Sequence, residues 1–115
     1  MKQYGMTLFG LLACCLSMTL VSCRKHDVRT VLIHVPEMRN RACVDVVQDA
    51  LSKVQGLQWN RTEIDLSRRT VTVTYDSMQM SLKNVEFAIA DAGFRANNVP
   101  ANEEAAAKLP DACLE

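Results

Sequence analysis

The chain has 115 residues with 13 basic and 13 acidic side chains, so its formal net charge at neutral pH is zero. This length allows one small domain, and the balanced charge argues against the basic surface that nucleic-acid binding requires. Aromatic residues make up only 5% of the chain, so the core must be aliphatic. The sequence contains no glycine-rich phosphate loop and no catalytic framework around its two histidines, and we therefore predict that the protein is not an enzyme.

The first 22 residues are predicted to be an export signal that does not belong to the fold. Lys2 precedes an uncharged apolar run over residues 6–21, which is too short to span a membrane comfortably. The run ends in LVSC at 20–23, which resembles a bacterial lipobox, and this resemblance implies that Cys23 is lipidated and begins the mature protein. We thus expect a lipoprotein of the cell envelope, anchored on the periplasmic side or at the cell surface. An ordinary secretory signal or an uncleaved anchor, with an incidental cysteine, is the alternative.

A polar tether over residues 23–29 is predicted to lead into a domain over residues 30–99. Apolar residues alternate from Val31 to Val35, which indicates a strand with one buried face. From Arg41 the apolar period becomes helical, with Asn40 as the expected N-cap and a stop at Gly56. This assignment places Cys43 at the third helical position.

Two further strands are predicted over 59–66 and 70–75, then a second helix between a cap at Ser81 and a stop at Gly93, then a last strand over 94–99. The order β-α-β-β-α-β is the ferredoxin-like α+β arrangement, an antiparallel sheet of order 4-1-3-2 with both helices on one face. A tail over residues 100–115 is expected to contain a short helix. The predicted core comprises Val31, Ile33, Val47, Ala50, Leu51, Ile64, Val71, Val73, Val85 and Ile89.

Residues 30–96 resemble the heavy-metal-associated domain of soft-metal chaperones, mercury-scavenging periplasmic proteins and metal-pump N-termini. The resemblance is strongest in TVLIHV, ALSKVQGL, TVTVTYD and SLKNVEFAIADAGF. The family signature Gly-Met-x-Cys-x-x-Cys aligns with EMRNRAC at 37–43. Met38 and Cys43 match the motif, whereas Glu37 stands for its glycine and Asn40 for its first cysteine. The loop is therefore a degenerate form of the family's metal site.

The resemblance implies a soft metal ion, Cu(I), Hg(II) or Zn(II), held by thiolates, because such ions prefer sulfur ligands. Cys43 is then one ligand, with Asn40 and Arg41 as supporting residues of the metal loop. Met38 is expected to pack into the core, and Phe94 to shield the site without binding the ion. A metal-transport or metal-donor protein is the partner that this chemistry implies.

Cys43 and Cys113 are the two cysteines that remain once the signal is removed and Cys23 is lipidated. In the predicted topology the last strand leaves the tail at the end of the domain opposite the metal loop. The tail nevertheless has the length to return, since its helix spans ~12 Å at ~1.5 Å per residue and the rest extends up to ~20 Å. We therefore predict that Cys43 and Cys113 share a metal ion or form a disulfide.

The leading functional hypothesis is capture or transfer of a soft metal ion by an exported, membrane-tethered domain through Cys43 and Cys113. Two alternatives stay open. In the first, the domain binds no metal and is an interaction module stabilised by a Cys43–Cys113 disulfide. In the second, Cys43 carries out thiol redox chemistry, which the positive end of its helix would favour.

Overall fold

The computed structural model describes residues 26–115, so the predicted signal and Cys23 lie outside the described residues. The elements in chain order are β1 (Val28–His34), α1 (Arg41–Ser52), β2 (Glu63–Asp65), β3 (Thr70–Asp76), α2 (Leu82–Asp91), α3 (Glu103–Ala107) and α4 (Asp111–Leu114). A short 3-10 turn over Trp59–Arg61 precedes β2 and takes the place of the first residues of the strand predicted there. No helix within residues 26–115 is long and apolar enough to cross a membrane.

The three strands of the described part form one antiparallel sheet in the order β1-β3-β2, as predicted for these elements. Val31 lies opposite Val73, and Ile64 lies opposite Val71. The register puts these side chains on the same face of the sheet, because alternate residues of a strand point the same way. The helices α1 and α2 cover this face, and the prediction of an α+β domain is confirmed.

Most of the predicted core is buried, and three members, Val31, Ala50 and Ile64, are only half-buried. The buried positions of α1 are Cys43, Val44, Val47 and Leu51, at the spacing of one helical face. The buried face of α1 is therefore rotated by about one residue from the predicted face, which contained Ala50 and lacked Cys43 and Val44. Cys43 was missed as a core residue because what covers it is the chain's own tail, which lies 70 residues further along.

The segment after α2 differs from the prediction, because it forms a tight turn instead of a fourth strand. Asn97 has a left-handed φ of 52°, and Ala96 pairs with Val99 across the turn. The segment still lies beside β1 as predicted, since Asn97 N–H donates to the His34 carbonyl at 2.9 Å and the His34 N–H donates to Asn97 Oδ1 at 2.9 Å. A left-handed residue cannot continue a pleated strand, so pairing stops there.

This turn keeps the tail at the metal-loop end of the domain, and the expectation that the tail starts at the opposite end is wrong. Asn102 N–H donates to the carbonyl of Ala90 in the last turn of α2 at 2.9 Å. Gly93, with a φ of 105°, lets α3 approach so closely that a Cβ there would lie 2.9 Å from the Ala106 nitrogen. Only glycine tolerates both conditions at this position.

Asp76 fastens the beginning of β1 to the end of β3. Its carboxylate accepts N–H groups from Asp27 at 3.0 Å and from Met78 at 2.9 Å, and it lies 2.8 Å from Nδ1 of His26. These donors, the Asp27 N–H foremost and then His26 and Met78, stabilise the charged form and lower the pKa of Asp76 to about 2.

We predict that this carboxylate makes the domain acid-sensitive. Its pKa in the folded chain is about 2, below the ordinary 3.8, so its stabilising contribution is complete above about pH 4. That contribution is lost progressively as the pH falls towards 2, where the carboxylate becomes protonated in both states. Thermal melts between pH 2 and pH 5 measure the effect, and the Asp76→Asn variant should show a flatter pH dependence in this window. An equal slope in the two proteins would contradict the assignment.

Candidate metal centre

The loop between β1 and α1 is held on both sides by main-chain contacts. Val35 N–H donates to the Arg69 carbonyl at 2.9 Å, and Met38 N–H donates back to Val35 at 3.1 Å, which closes a turn. The Glu37 carboxylate accepts the N–H of Arg95 at 3.1 Å. Met38 is fully buried, as the family resemblance implied, so its thioether packs in the core.

Asn40 makes two contacts that together join the helix to the tail. Its Oδ1 accepts the N–H of Cys43 at 3.1 Å, so it is the N-cap of α1 as predicted. Its Nδ2 donates to the carbonyl oxygen of Ala112 at 2.7 Å, one residue before Cys113. Asn40, which we expect at the position of the motif's first cysteine, thus holds the segment that carries Cys113.

The structure brings Cys43 and Cys113 together and joins them by a disulfide, with a Cα–Cα distance of 4.8 Å. Both residues are buried, Cys43 completely. Cys43 Sγ also lies 3.1 Å from the carbonyl oxygen of Cys113, a position from which a free thiol would donate a hydrogen bond. The disulfide therefore lies between α1 and α4.

A cavity of about 280 Å³ lies beside this disulfide, between the loop and the tail. Its walls include the buried ring of Phe94, which is the residue predicted to shield the site, and the tail residues Leu109, Cys113 and Leu114. Glu37 and Arg39 are the two charged residues of its lining. Cys43 does not line it.

The other predicted loop residue, Arg41, is exposed at the first position of α1 and lies away from this cavity, on the side of Val44 and Trp59. Among the described residues no group of three or more His, Cys, Asp or Glu side chains is placed to hold a metal ion. The site consequently offers two sulfur donors and no third side chain of these types. Sequence reasoning missed the contact of Asn40 with the tail, because no local pattern signals a bond across 72 residues.

Comparison with known proteins identifies relatives over this same region. A family model described as heavy-metal-associated domain matches residues 32–95. The mercuric transport protein periplasmic component of Shigella flexneri is 36% identical over 66 residues, which cover 57% of this chain and 70% of that protein. The corresponding protein of Pseudomonas aeruginosa is 33% identical over the same length, with the same coverage.

Superposition on solved structures identifies the same kind of domain. Oxidized MerP from Ralstonia metallidurans CH34 superposes with a TM-score of 0.57 at 32% identity, over 62% of this chain and 96% of that one. The mercury-bound form of MerP, the periplasmic protein of the bacterial mercury detoxification system, gives 0.53 at 34% identity, over 62% and 96%. A copper binding domain from HMA7, a P-type ATPase, gives 0.55 at 28% identity, over 60% and 90%. The predicted ferredoxin-like architecture is thereby confirmed.

We predict that two variants of Asn40 distinguish its contact with the Cys43 N–H from its contact with the Ala112 carbonyl. Asn40→Ala removes the helix cap and should lower the free energy of unfolding of the reduced protein by about 1 kcal/mol. Asn40→Asp keeps an acceptor for the Cys43 N–H but places a carboxylate oxygen against the Ala112 carbonyl, so the reduced protein should keep its helix cap and lose only the attachment of the tail. Both variants should need a more oxidising glutathione buffer to form the disulfide. If Asn40→Asp formed it as readily as the wild type, the contact with Ala112 would have no role in placing the tail.

We also predict that reductant destabilises the domain. The disulfide closes a loop of 70 residues, and the chain-entropy model gives such a link about 4 kcal/mol. Chemical denaturation with and without reductant measures the difference. The double variant Cys43→Ala/Cys113→Ala is the control and should unfold identically in both conditions. An unchanged wild-type midpoint under full reduction would show that the tail stabilises the fold without its covalent link.

Proposed function

Because the chain belongs to the heavy-metal-associated domain family, we propose that it captures a soft metal ion, Cu(I) or Hg(II), between the thiolates of Cys43 and Cys113. Heavy-metal-associated domains and the MerP-like periplasmic proteins bind metal and are not enzymatic, which confirms the prediction that the chain is not an enzyme. The observation that carries the proposal is the meeting of the two sulfur atoms at the loop where the family motif has its cysteines. Asn40 has replaced one motif cysteine, and the tail supplies another from the far end of the chain.

The donor set favours a low-coordinate soft ion over zinc. Two thiolates suffice for Cu(I) or Hg(II), which prefer sulfur, whereas a structural zinc site has four ligands. In the described residues no third His, Cys, Asp or Glu completes a cluster. Zn(II) is therefore the weakest of the three candidate ions.

Capture requires the disulfide to open first, because both sulfur atoms are bonded to each other. After reduction the tail still has two tethers to the loop end, the Asn40–Ala112 hydrogen bond and the packing of α3 on Gly93. Cys43 at the third position of α1 lies at the positive end of a helix, which favours the thiolate that a metal needs. Each thiol then releases its proton as the metal binds.

The surroundings of the two sulfurs support a stable metal–thiolate bond. Met38 and Phe94 are fully buried beside the loop and exclude water from that side. Arg39 and Arg41 are exposed and flank Asn40 along the chain. The positive charge of Arg39, which lines the cavity beside the sulfurs, balances part of the negative charge of a bis-thiolate complex.

The cellular setting completes the proposal. Residues 1–22 are the export signal, Cys23 carries the lipid, residues 23–29 form the tether, residues 30–99 the metal-binding domain and residues 100–115 the ligand-bearing tail. Several relatives are periplasmic components of mercuric transport, which supports a location on the outer side of the inner membrane or beyond. The partner would be a membrane protein that transports the metal or a protein that donates it.

A second function rests on the disulfide itself. Cys43 and Cys113 are bonded and buried, and an oxidising compartment preserves such a bond. In that case the domain is an interaction module with a covalently fixed tail, and no metal is bound under native conditions. The two functions predict different effects of reduction. In the first, the reduced protein binds a metal ion, whereas in the second it binds none.

We predict that the reduced protein binds one Hg(II) and that the oxidised protein binds none. Equilibrium dialysis against Hg(II) with iodide, a competing ligand that does not reduce disulfides, measures both forms. Cys113→Ser should weaken binding by at least tenfold, because one thiolate is a poor and exchangeable site. Cys43→Ser should abolish binding, because the remaining thiol of Cys113 lies on the tail and lacks the helix N-terminus that favours the Cys43 thiolate. The Asn40→Cys variant restores the two cysteines of the family motif and should bind without Cys113. Undiminished binding by Cys113→Ser would remove the tail from the metal site.

We predict that Cys23→Ser releases the protein from the membrane. One lipidated cysteine is the anchor that the sequence provides, and stable attachment takes more than one acyl chain. Fractionation of cells, with labelling by radioactive fatty acid, should show the label in the wild type and its loss in the variant. A wild-type protein without label, or a variant that stays in the membrane fraction, would contradict lipid anchoring.

A further inference from the structure

We propose that the cavity beside the disulfide binds a small zwitterionic thiol of the amino-acid type, which opens the bond by attacking the sulfur of Cys113. This inference rests on the proposed function, because metal capture requires the disulfide to open. It adds the chemical identity of the reductant and the order in which the two sulfurs react. Nothing in the family motif specifies either, since the tail cysteine lies outside it.

The size and walls of the cavity suit such a ligand. Its volume of about 280 Å³ lies just below the ~300–1,000 Å³ typical of sites for drug-sized molecules. Phe94, Leu109 and Leu114 give it apolar walls around Cys113. A molecule with the bulk of a single amino acid fits this space, with its thiol against the sulfur and its charged end towards the loop.

The two charged residues of the lining select a zwitterion. Arg39 is exposed and forms no ion pair within the described residues, so its guanidinium is available for a carboxylate. Glu37 lies two residues before it and lines the same cavity, and its carboxylate attracts an ammonium group. A thiol that carries both charges therefore satisfies both residues, whereas a purely anionic thiol is repelled by Glu37.

The position of the cavity decides which sulfur reacts. Cys113 lines it, and Cys43 does not. Cys43 is completely buried at the start of α1. Thiol–disulfide exchange proceeds by attack of a thiolate on one sulfur while the other leaves. An attacking thiolate in this cavity thus meets Cys113, and Cys43 is the leaving group.

The chemistry balances with two equivalents of the thiol. The first thiolate forms a bond to Cys113 Sγ while the Cys113–Cys43 bond breaks, and Cys43 leaves as a thiolate at the positive end of α1. On protonation its S–H can donate to the Cys113 carbonyl oxygen, which lies 3.1 Å away. The second thiolate attacks the sulfur of the small thiol in the mixed disulfide. The products are the reduced protein and the oxidised dimer of the small thiol.

The experiment uses the oxidised processed protein and four thiols of similar size. These are cysteine, cysteamine, which lacks the carboxylate, 3-mercaptopropionate, which lacks the ammonium group, and 2-mercaptoethanol, which lacks both. Rates are compared per thiolate, because nucleophilicity depends on thiol acidity. We expect cysteine to react about fivefold faster than 2-mercaptoethanol, the factor that corresponds to about 1 kcal/mol from an exposed ion pair. Equal rates for all four would overturn the proposed selectivity.

Matched variants test whether the selectivity between thiols arises in the cavity. Arg39→Gln should remove the advantage of cysteine over cysteamine, whereas Arg41→Gln, which removes the same charge outside the cavity, should preserve it. Ala101→Phe places a ring in the cavity lining and should slow cysteine at least as much as the other thiols. If Arg41→Gln had the same effect as Arg39→Gln, a general electrostatic attraction would replace the binding site.

Trapping the intermediate tests the order of attack. Rapid alkylation followed by peptide mapping should find the cysteinyl group on Cys113 and the alkyl group on Cys43. The reverse pattern would overturn the assignment. Metal binding is measured separately after reduction with a phosphine. Loss of Hg(II) binding there would refute the proposed function and leave the thiol selectivity standing, while loss of selectivity alone would refute this inference.

Discussion

The covalent link between Cys43 and Cys113 is the constraint on which the candidate site depends. It joins the first turn of α1 to the last residues of the described chain across 70 positions. Without it, the tail would be held by the Asn40 amide and by its contacts with α2 and Gly93. The bond holds the tail over Cys43, and Cys113 is one of the residues that line the cavity beside the loop. Its state therefore sets the stability of the domain and the availability of both sulfurs together.

Asn40 lies where the family motif is expected to have its first cysteine, and it binds the tail that carries Cys113. In the family motif both sulfurs come from one loop, whereas here the second sulfur comes from a separate helix. Asn40 contributes an acceptor to Cys43 N–H and a donor to the Ala112 carbonyl, which a cysteine side chain does poorly because sulfur forms weak hydrogen bonds. The Asn40 side chain thus strengthens the attachment of the tail to the start of α1. Cys113 belongs to a separate segment of the chain. Reduction of the disulfide therefore also removes the covalent attachment of the tail.

The left-handed turn at Asn97 is what makes this arrangement possible. A full last strand would carry the chain to the opposite end of the sheet, ~17–20 Å away. The turn instead returns the chain at once, and Asn102 then caps α3 beside the end of α2. Gly93 permits the close approach that this path requires. Asp76 secures the other end of the sheet, where its pKa of about 2 reflects a carboxylate that the fold keeps ionised. The hydrogen-bonded Asp76 carboxylate thus stabilises one end of the domain, and the disulfide stabilises the other.

The sequence by itself determined the elements with a local signal: the alternation of β1 and β3, the Asn40 cap, the glycine stop after α2 and the aliphatic core around Ile33, Val73 and Ile89. These follow from short-range patterns, because helix and strand periods repeat within a few residues. The expected loss of the signal and lipidation of Cys23 also led to the prediction that Cys43 and Cys113 meet, and the structure joins them by a disulfide. Only the tertiary structure decided that the last strand becomes a turn at Asn97, that Asn40 binds the tail and that the cavity opens beside Cys113. Each of these depends on contacts between distant segments, whose energies no local pattern contains.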